Sequence, residues 1–192
     1  MTEPPDDLLS LVREELARPV PAGAAAFIAP ILERHGDAVA AVLFYGSCLR
    51  KGTTEGVLDF YVLVDGYRAA HGRWLPAAAN ALLPPNVYTL FAEPLEARDL
   101  PGDSPPEPLR CKYAVVSLGD FEHLVGARAS HSYIWARFAQ PSLVAYCRDE
   151  ETRARVEACA AEAVVTFVRR LVAFLPARRT LLRFSHGAFW QS

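Results

Sequence analysis

Two uninterrupted apolar runs, VAAVLFY at 39–45 and VLDFYVLV at 57–64, constrain this chain more than any other feature. A strand with one wet face alternates polar and apolar residues, whereas a run that stays apolar at nearly every position has both faces covered. Turn residues bound each run: Gly36-Asp37 and Gly46 around the first, Asp65-Gly66 after the second. Both therefore read as buried strands. Shorter apolar runs at 87–91 and 110–118 predict a third and a fourth strand.

Helical patterns surround them. Residues 6–18 place Leu8, Leu11, Val12 and Leu16 on one face, and 24–34 form a second helix closed by His35-Gly36. A helical stretch runs from 67 to about 83, interrupted at Pro76, and the acidic, proline-rich segment 92–109 reads as a loop. After residue 119 the pattern becomes helical. Asp120 reads as the N-cap of a helix to about 128, 132–138 as a short helix, and 150–175 as a long amphipathic one. Its predicted apolar stripe is Val156, Ala160, Val164, Phe167, Leu171 and Phe174. The expected fold class is α/β (α+β), a mixed sheet flanked by helices. The expected division is an α/β domain at 1–119 and a helical C-terminal subdomain at 120–192.

Composition narrows the function. With 192 residues, 52% hydrophobic and 22% charged, the chain can bury a substantial core. A net charge of −2 argues against non-specific nucleic-acid binding, so no nucleic-acid partner is expected. The basic residues concentrate late, through Arg153, Arg155, Arg169, Arg170, Arg178, Arg179 and Arg183. That end reads as a solvated face or as a contact for an anionic surface. The acidic N-terminus has no apolar signal core, and no run is long and apolar enough to span a membrane. Cys48, Cys111, Cys147 and Cys159 lack metal-binding spacing and read as reduced, packed thiols, which makes zinc unexpected and a cytoplasmic location the expectation.

The chemistry gathers around the two buried strands. Gly46-Ser47 follows the first, where a turn can bring backbone N–H groups and a hydroxyl close to a phosphate. Asp59 interrupts the second, and an unpaired carboxylate there would be costly to desolvate. It needs a cation, a hydrogen-bond partner or the mouth of a cleft. Mg²⁺ answers that need beside a triphosphate, and a buried Arg answers it in a purely structural reading. Lys51 and Lys112 stand out in a chain whose other cations are Arg, and a compact ammonium suits a phosphate oxygen. Asp65 lies six residues beyond Asp59, about 20 Å along an extended strand, and reads as a cap of the next helix. His71 and Tyr61 read first as packing residues.

The ordered set Tyr45-Gly46-Ser47, Leu58-Asp59-Phe60, Val64-Asp65 and His71 resembles the mitochondrial-type phosphatidate cytidylyltransferases. These are the peripheral CDP-diacylglycerol synthases associated with translocator maintenance, within the polymerase-beta-like nucleotidyltransferase superfamily. The resemblance continues through Lys112-Tyr113-Ala114-Val115 and through the segment from Ser132 to Pro141, covering roughly residues 38 to 176. Like that family, the chain lacks the second acid of the superfamily's Asp-x-Asp and has Tyr61 there. Unlike it, Ala139-Gln140 replaces a His-Lys pair, and Phe184-Ser185-His186-Gly187 is a remnant of a longer tail.

The resemblance implies a nucleotidyltransferase-type sheet and a Mg²⁺-dependent transfer from CTP to phosphatidic acid at a membrane surface. It implies that Asp59 holds the metal and that Lys112 acts with it at the reacting phosphates. Tyr45, Gly46, Ser47 and Arg137 would then bind the nucleotide phosphates, with Arg50 and Lys51 steering the anion. Two other functions stay open: the same fold acting on another phosphate-bearing or protein acceptor, and a non-catalytic nucleotide-binding protein.

Overall fold

The computed structural model describes residues 4–72, 86–92, 108–129 and 132–173. The predicted helical stretch beyond His71, the loop at 93–107 and the tail beyond Ala173 lie outside them.

Helices α1 (Asp6–Leu16), α2 (Ala22–Ala25) and α3 (Ile28–His35) lead through a short 3₁₀ turn into β1 (Val39–Tyr45). Then follow α4 (Ser47–Lys51), β2 (Val57–Val64), α5 (Tyr67–His71), β3 (Asn86–Ala92), β4 (Leu109–Ser117) and α6 (Leu118–Val125). The chain continues through α7 (Trp135–Phe138), β5 (Ser142–Cys147) and α8 (Glu150–Ala173). The strands form one mixed sheet in the order β3-β4-β2-β1-β5, with β2 and β4 parallel and the other neighbours antiparallel. The expected α+β class, a mixed sheet flanked by helices with a helical C-terminal element, is what the structure has.

Helices on both sides explain the two apolar runs. All seven residues of β1 are buried. On one face Val42, Phe44, Phe60, Val62 and Tyr113 pack with Phe27 and Ile31. On the other, Leu43, Tyr61, Leu63 and Val116 pack with Phe121, Ile134, Phe138 and Val156. Edge strand β3 alternates between half-buried and exposed positions, as a strand with one wet face should.

Four expectations change. The segment after 119 is not helical throughout: β5 pairs antiparallel with β1, matching Leu43 to Val144 and Tyr45 to Ser142. Asp120 does not cap α6. β4 runs into that helix without a loop, so Ser117 Oγ accepts the Asp120 N–H at 3.1 Å, and the Asp120 carboxylate accepts from Tyr67 O–H at 2.6 Å. Asp65 does not cap α5, whose N-cap is Gly66; its carboxylate accepts two bonds from Arg148, at 2.5 and 3.1 Å. The buried face of α8 is rotated from the predicted stripe: Thr152, Val156, Cys159, Ala160, Ala163 and Thr166 are buried, while Phe167 and Leu171 are 40% and 51% exposed.

The four cysteines are free thiols, and all but Cys147 are buried. Among the described residues no helix is long and apolar enough to cross a membrane.

Candidate functional site

Strand register builds the site. Tyr45, the last residue of β1, lies opposite Asp59 on β2, and Asp59 lies opposite Lys112 on β4. Side chains at paired positions share a face, so the three stand in a row across the middle of the sheet. Their face is the one covered by α6, α7 and α8, with Tyr61 and Ala114 next along it. The helical cover stops short of Asp59. A carboxylate can therefore occupy an apolar strand because its position lies at the edge of the buried layer.

The opening is a cleft of about 460 Å³. Tyr45, Gly46, Ser47, Arg50 and Asp59 line it from the sheet side, and Ser132, Tyr133, Ala136, Arg137 and Gln140 from the segment around α7. Five of the expected site residues, Tyr45, Gly46, Ser47, Asp59 and Arg137, thus share one cavity. Lys112 is exposed and does not line the cleft, but it stands beside Asp59 and acts electrostatically on it. Lys51, at the exposed end of α4, is not part of the lining.

Gly46 is shaped for this place. Its φ of 96° and ψ of −163° belong to a region that only glycine occupies comfortably. A Cβ there would lie 2.6 Å from Asp59 Oδ2. The turn thus brings bare backbone against the carboxylate, and Ser47 follows on the exposed side.

Among the described residues, Asp59 is the only acid in the cleft lining. Burial pushes its pKa above the ordinary carboxylate value, and the charges of Arg137, Lys112 and Arg50 pull against that shift. One half-buried carboxylate is thus surrounded by three cations. The excess positive charge is what a polyanionic ligand would neutralise.

Arg137 is held by aromatic rings. Its guanidinium lies 4.2 Å from the Tyr133 ring centroid and 5.6 Å from that of Tyr45, with a long 3.5 Å bond to Tyr45 O–H. Arg50 is aimed by Gln140, donating to its Oε1 at 2.8 Å, while Gln140 Nε2 donates to Ala136 O. The residue that replaces a cation in the resembled family therefore positions another cation at the same cleft. Tyr133 is a lining side chain to which the sequence reading gave no role, and Gln140 is one it marked only as a lost cation. The four-residue spacing of Tyr133 and Arg137 was the available signal for the first.

Two residues lie elsewhere. Tyr61 is fully buried between Tyr45 and Phe138. His71 packs on the opposite face of the sheet, against His35 and Tyr88.

Among the described residues no cluster of three or more His, Cys, Asp or Glu side chains could hold a metal by itself. Magnesium does not require such a cage, because it commonly binds one or two carboxylates and completes its shell with substrate phosphates and water. The Asp59 carboxylate at the edge of a cationic cleft fits that pattern.

No protein-family model matches this chain, and a search of the curated proteins found no match.

Proposed function

We propose that the protein is a magnesium-dependent cytidylyltransferase that makes CDP-diacylglycerol and pyrophosphate from CTP and phosphatidic acid at a membrane surface. The observation that carries this reading is the pair Tyr45–Asp59, flanked by Lys112, opening onto a cleft with Gly46, Ser47, Arg50 and Arg137. The motif resemblance supplies the nucleotide and the acceptor.

In this reading the CTP phosphates lie along Gly46-Ser47 and between Arg50 and Arg137. A phosphate oxygen of the acceptor attacks the α-phosphorus, the bond to the bridging α–β oxygen breaks, and pyrophosphate leaves with that electron pair. Asp59 would hold Mg²⁺, which when bound neutralises the triphosphate and stabilises the leaving group. Arg137 contributes a planar guanidinium, pre-set by two aromatic rings, that can bond two phosphate oxygens at once. Arg50, held by Gln140, and Lys112 add positive charge where negative charge accumulates in the transition state. Catalysis here is positioning and charge neutralisation, which asks no covalent step of the protein.

A peripheral contact with an anionic membrane, on the cytoplasmic side, is part of the proposal. Phe167, Val168, Leu171 and Val172 are exposed together on the last described turns of α8, a helix that carries Arg169 and Arg170 there.

Gln140 favours a second reading, the same transfer to a different phosphate-bearing acceptor, because an amide stands where the resembled family places a cation. One assay separates the two: pyrophosphate release by purified protein with Mg²⁺ and CTP, with and without phosphatidic acid in mixed micelles. Lipid-dependent release with CDP-diacylglycerol as product is the expected result. Release only with a polyprenyl or sugar phosphate would move the assignment to the second reading. Binding of CTP without release in any of these conditions would overturn both.

A further inference from the structure

Beside the cationic cleft runs an open groove of about 280 Å³ with the opposite chemistry. Leu11, Val12 and Leu16 of α1 form one wall, with Val164 of α8, Phe138 of α7 and Pro141 completing it. Its one acid, Glu15, is already paired with Arg18 at 2.6 Å. The groove exists because α1 does not bury the face its sequence prepares. Of the stripe Leu8, Leu11, Val12 and Leu16, only Leu16 is buried, and Leu11 is 64% exposed. An ion pair between Arg13 and Glu157, at 2.8 Å, holds α1 on α8 in this arrangement.

The groove adjoins the cleft at one residue. Gln140 lines both. Ser142, in the groove, is the register partner of Tyr45, in the cleft wall, so one strand spacing of about 5 Å separates them. The apolar groove thus begins at Gln140, the residue that holds Arg50 in the cleft.

We propose that this groove is the hydrocarbon subsite for the acceptor: an amphiphilic phosphomonoester places its phosphate at the Gln140 edge of the cleft, next to the nucleotide phosphates, and lays an alkyl chain along α1, between Val12 and Val164. The inference rests on the reading of the cleft as a phosphate site. It adds the place where the hydrocarbon of such an acceptor lies. A purely polar phosphate leaves the groove empty, whereas a chain gains about twofold to fourfold in affinity for each methylene it buries.

The test is calorimetric titration of the whole protein with inorganic phosphate and with butyl, octyl and dodecyl phosphate, each below its micelle-forming concentration. Affinity should climb with chain length and then level off once the groove is filled. Val12→Trp, which fills the groove, should flatten that climb. Leu11→Lys, at an exposed position that folding tolerates, should weaken it, with thermal melts confirming both folds. Affinity independent of chain length, with phosphate still bound, would overturn the subsite and leave the cleft reading standing. An undiminished climb in both variants would put the chain elsewhere and also overturn it. Failure to bind any of these phosphates would remove the cleft reading itself.

Discussion

Gly46 and Asp59 are in such close contact that the glycine's missing side chain is part of the site: a Cβ on Gly46 would stand 2.6 Å from Asp59 Oδ2. The backbone of Gly46 also occupies a positive-φ conformation that other residues rarely adopt. Gly46→Ala should therefore cost about 1–3 kcal/mol of stability from the backbone alone. It should also displace the carboxylate and remove turnover. Urea unfolding together with pyrophosphate release checks both effects, and a variant that keeps wild-type turnover would detach Gly46 from the site.

Asp59→Asn separates function from folding. Burial raises the Asp59 pKa, so the folded protein resists the charged form, and this group's stability contribution is greatest below the ordinary aspartate pKa and declines as pH rises. The neutral amide should leave the melting temperature at neutral pH unchanged or higher, while cytidylyl transfer falls by at least about a hundredfold. In the metal-free protein the same shift puts the Asp59 titration above the usual aspartate value of about 4, and an NMR titration of the metal-free wild type reads it directly.

Arg137→Lys should not be conservative. The guanidinium fork and its two ring contacts are lost together, although the charge remains. CTP affinity should fall about tenfold to a hundredfold, the size of a lost charged hydrogen bond. Nucleotide titration of the folded variant measures it.

Asp65 should be irrelevant to turnover. Its carboxylate is engaged by Arg148, and both side chains are well exposed, 49% and 37%. Asp65→Asn should keep full activity and cost no more than about 1 kcal/mol. Loss of activity in a folded Asp65→Asn protein would give this residue a part in the reaction.

His35 predicts sensitivity to acid. It is 6% exposed, its Nδ1–H donates to Ala70 O, and its Nε2 accepts from Tyr113 O–H. Burial holds its pKa below the ordinary 6.5, and the charges of Arg34 and His71 act in the same direction. A lowered histidine pKa gives stability that is present above 6.5 and lost as pH falls through the folded value. Urea midpoints should drop between pH 7.5 and 5.5, and the drop should shrink in His35→Gln. An equal drop in that variant would assign the acid sensitivity to other groups.

Short-range sequence pattern determined a good part of this protein. VAAVLFY and VLDFYVLV became β1 and β2 over the residues expected, because a strand buried on both faces needs an unbroken apolar run. The same pattern exposed Asp59 as the residue that did not fit, and alternation put it on a face with Tyr61. Gly46-Ser47 was legible because a strand must turn there. The strand β5 was not: SLVAYC is six residues between two helical segments, and its identity comes from pairing with β1, about a hundred residues earlier.

Tertiary structure alone decided the rest, because each remaining choice depended on partners distant in the chain. Asp65 met Arg148, 83 residues away, and so did not become a cap. Arg50 met Gln140, 90 residues away, which turned a loop cation into a wall of the cleft. Lys112 reached Asp59 through the parallel register of β2 and β4. The rotated face of α8 and the open groove under α1 follow from how helices seat on a twisted sheet. Local hydrophobic periodicity records which residues can be buried, whereas packing determines which of them are.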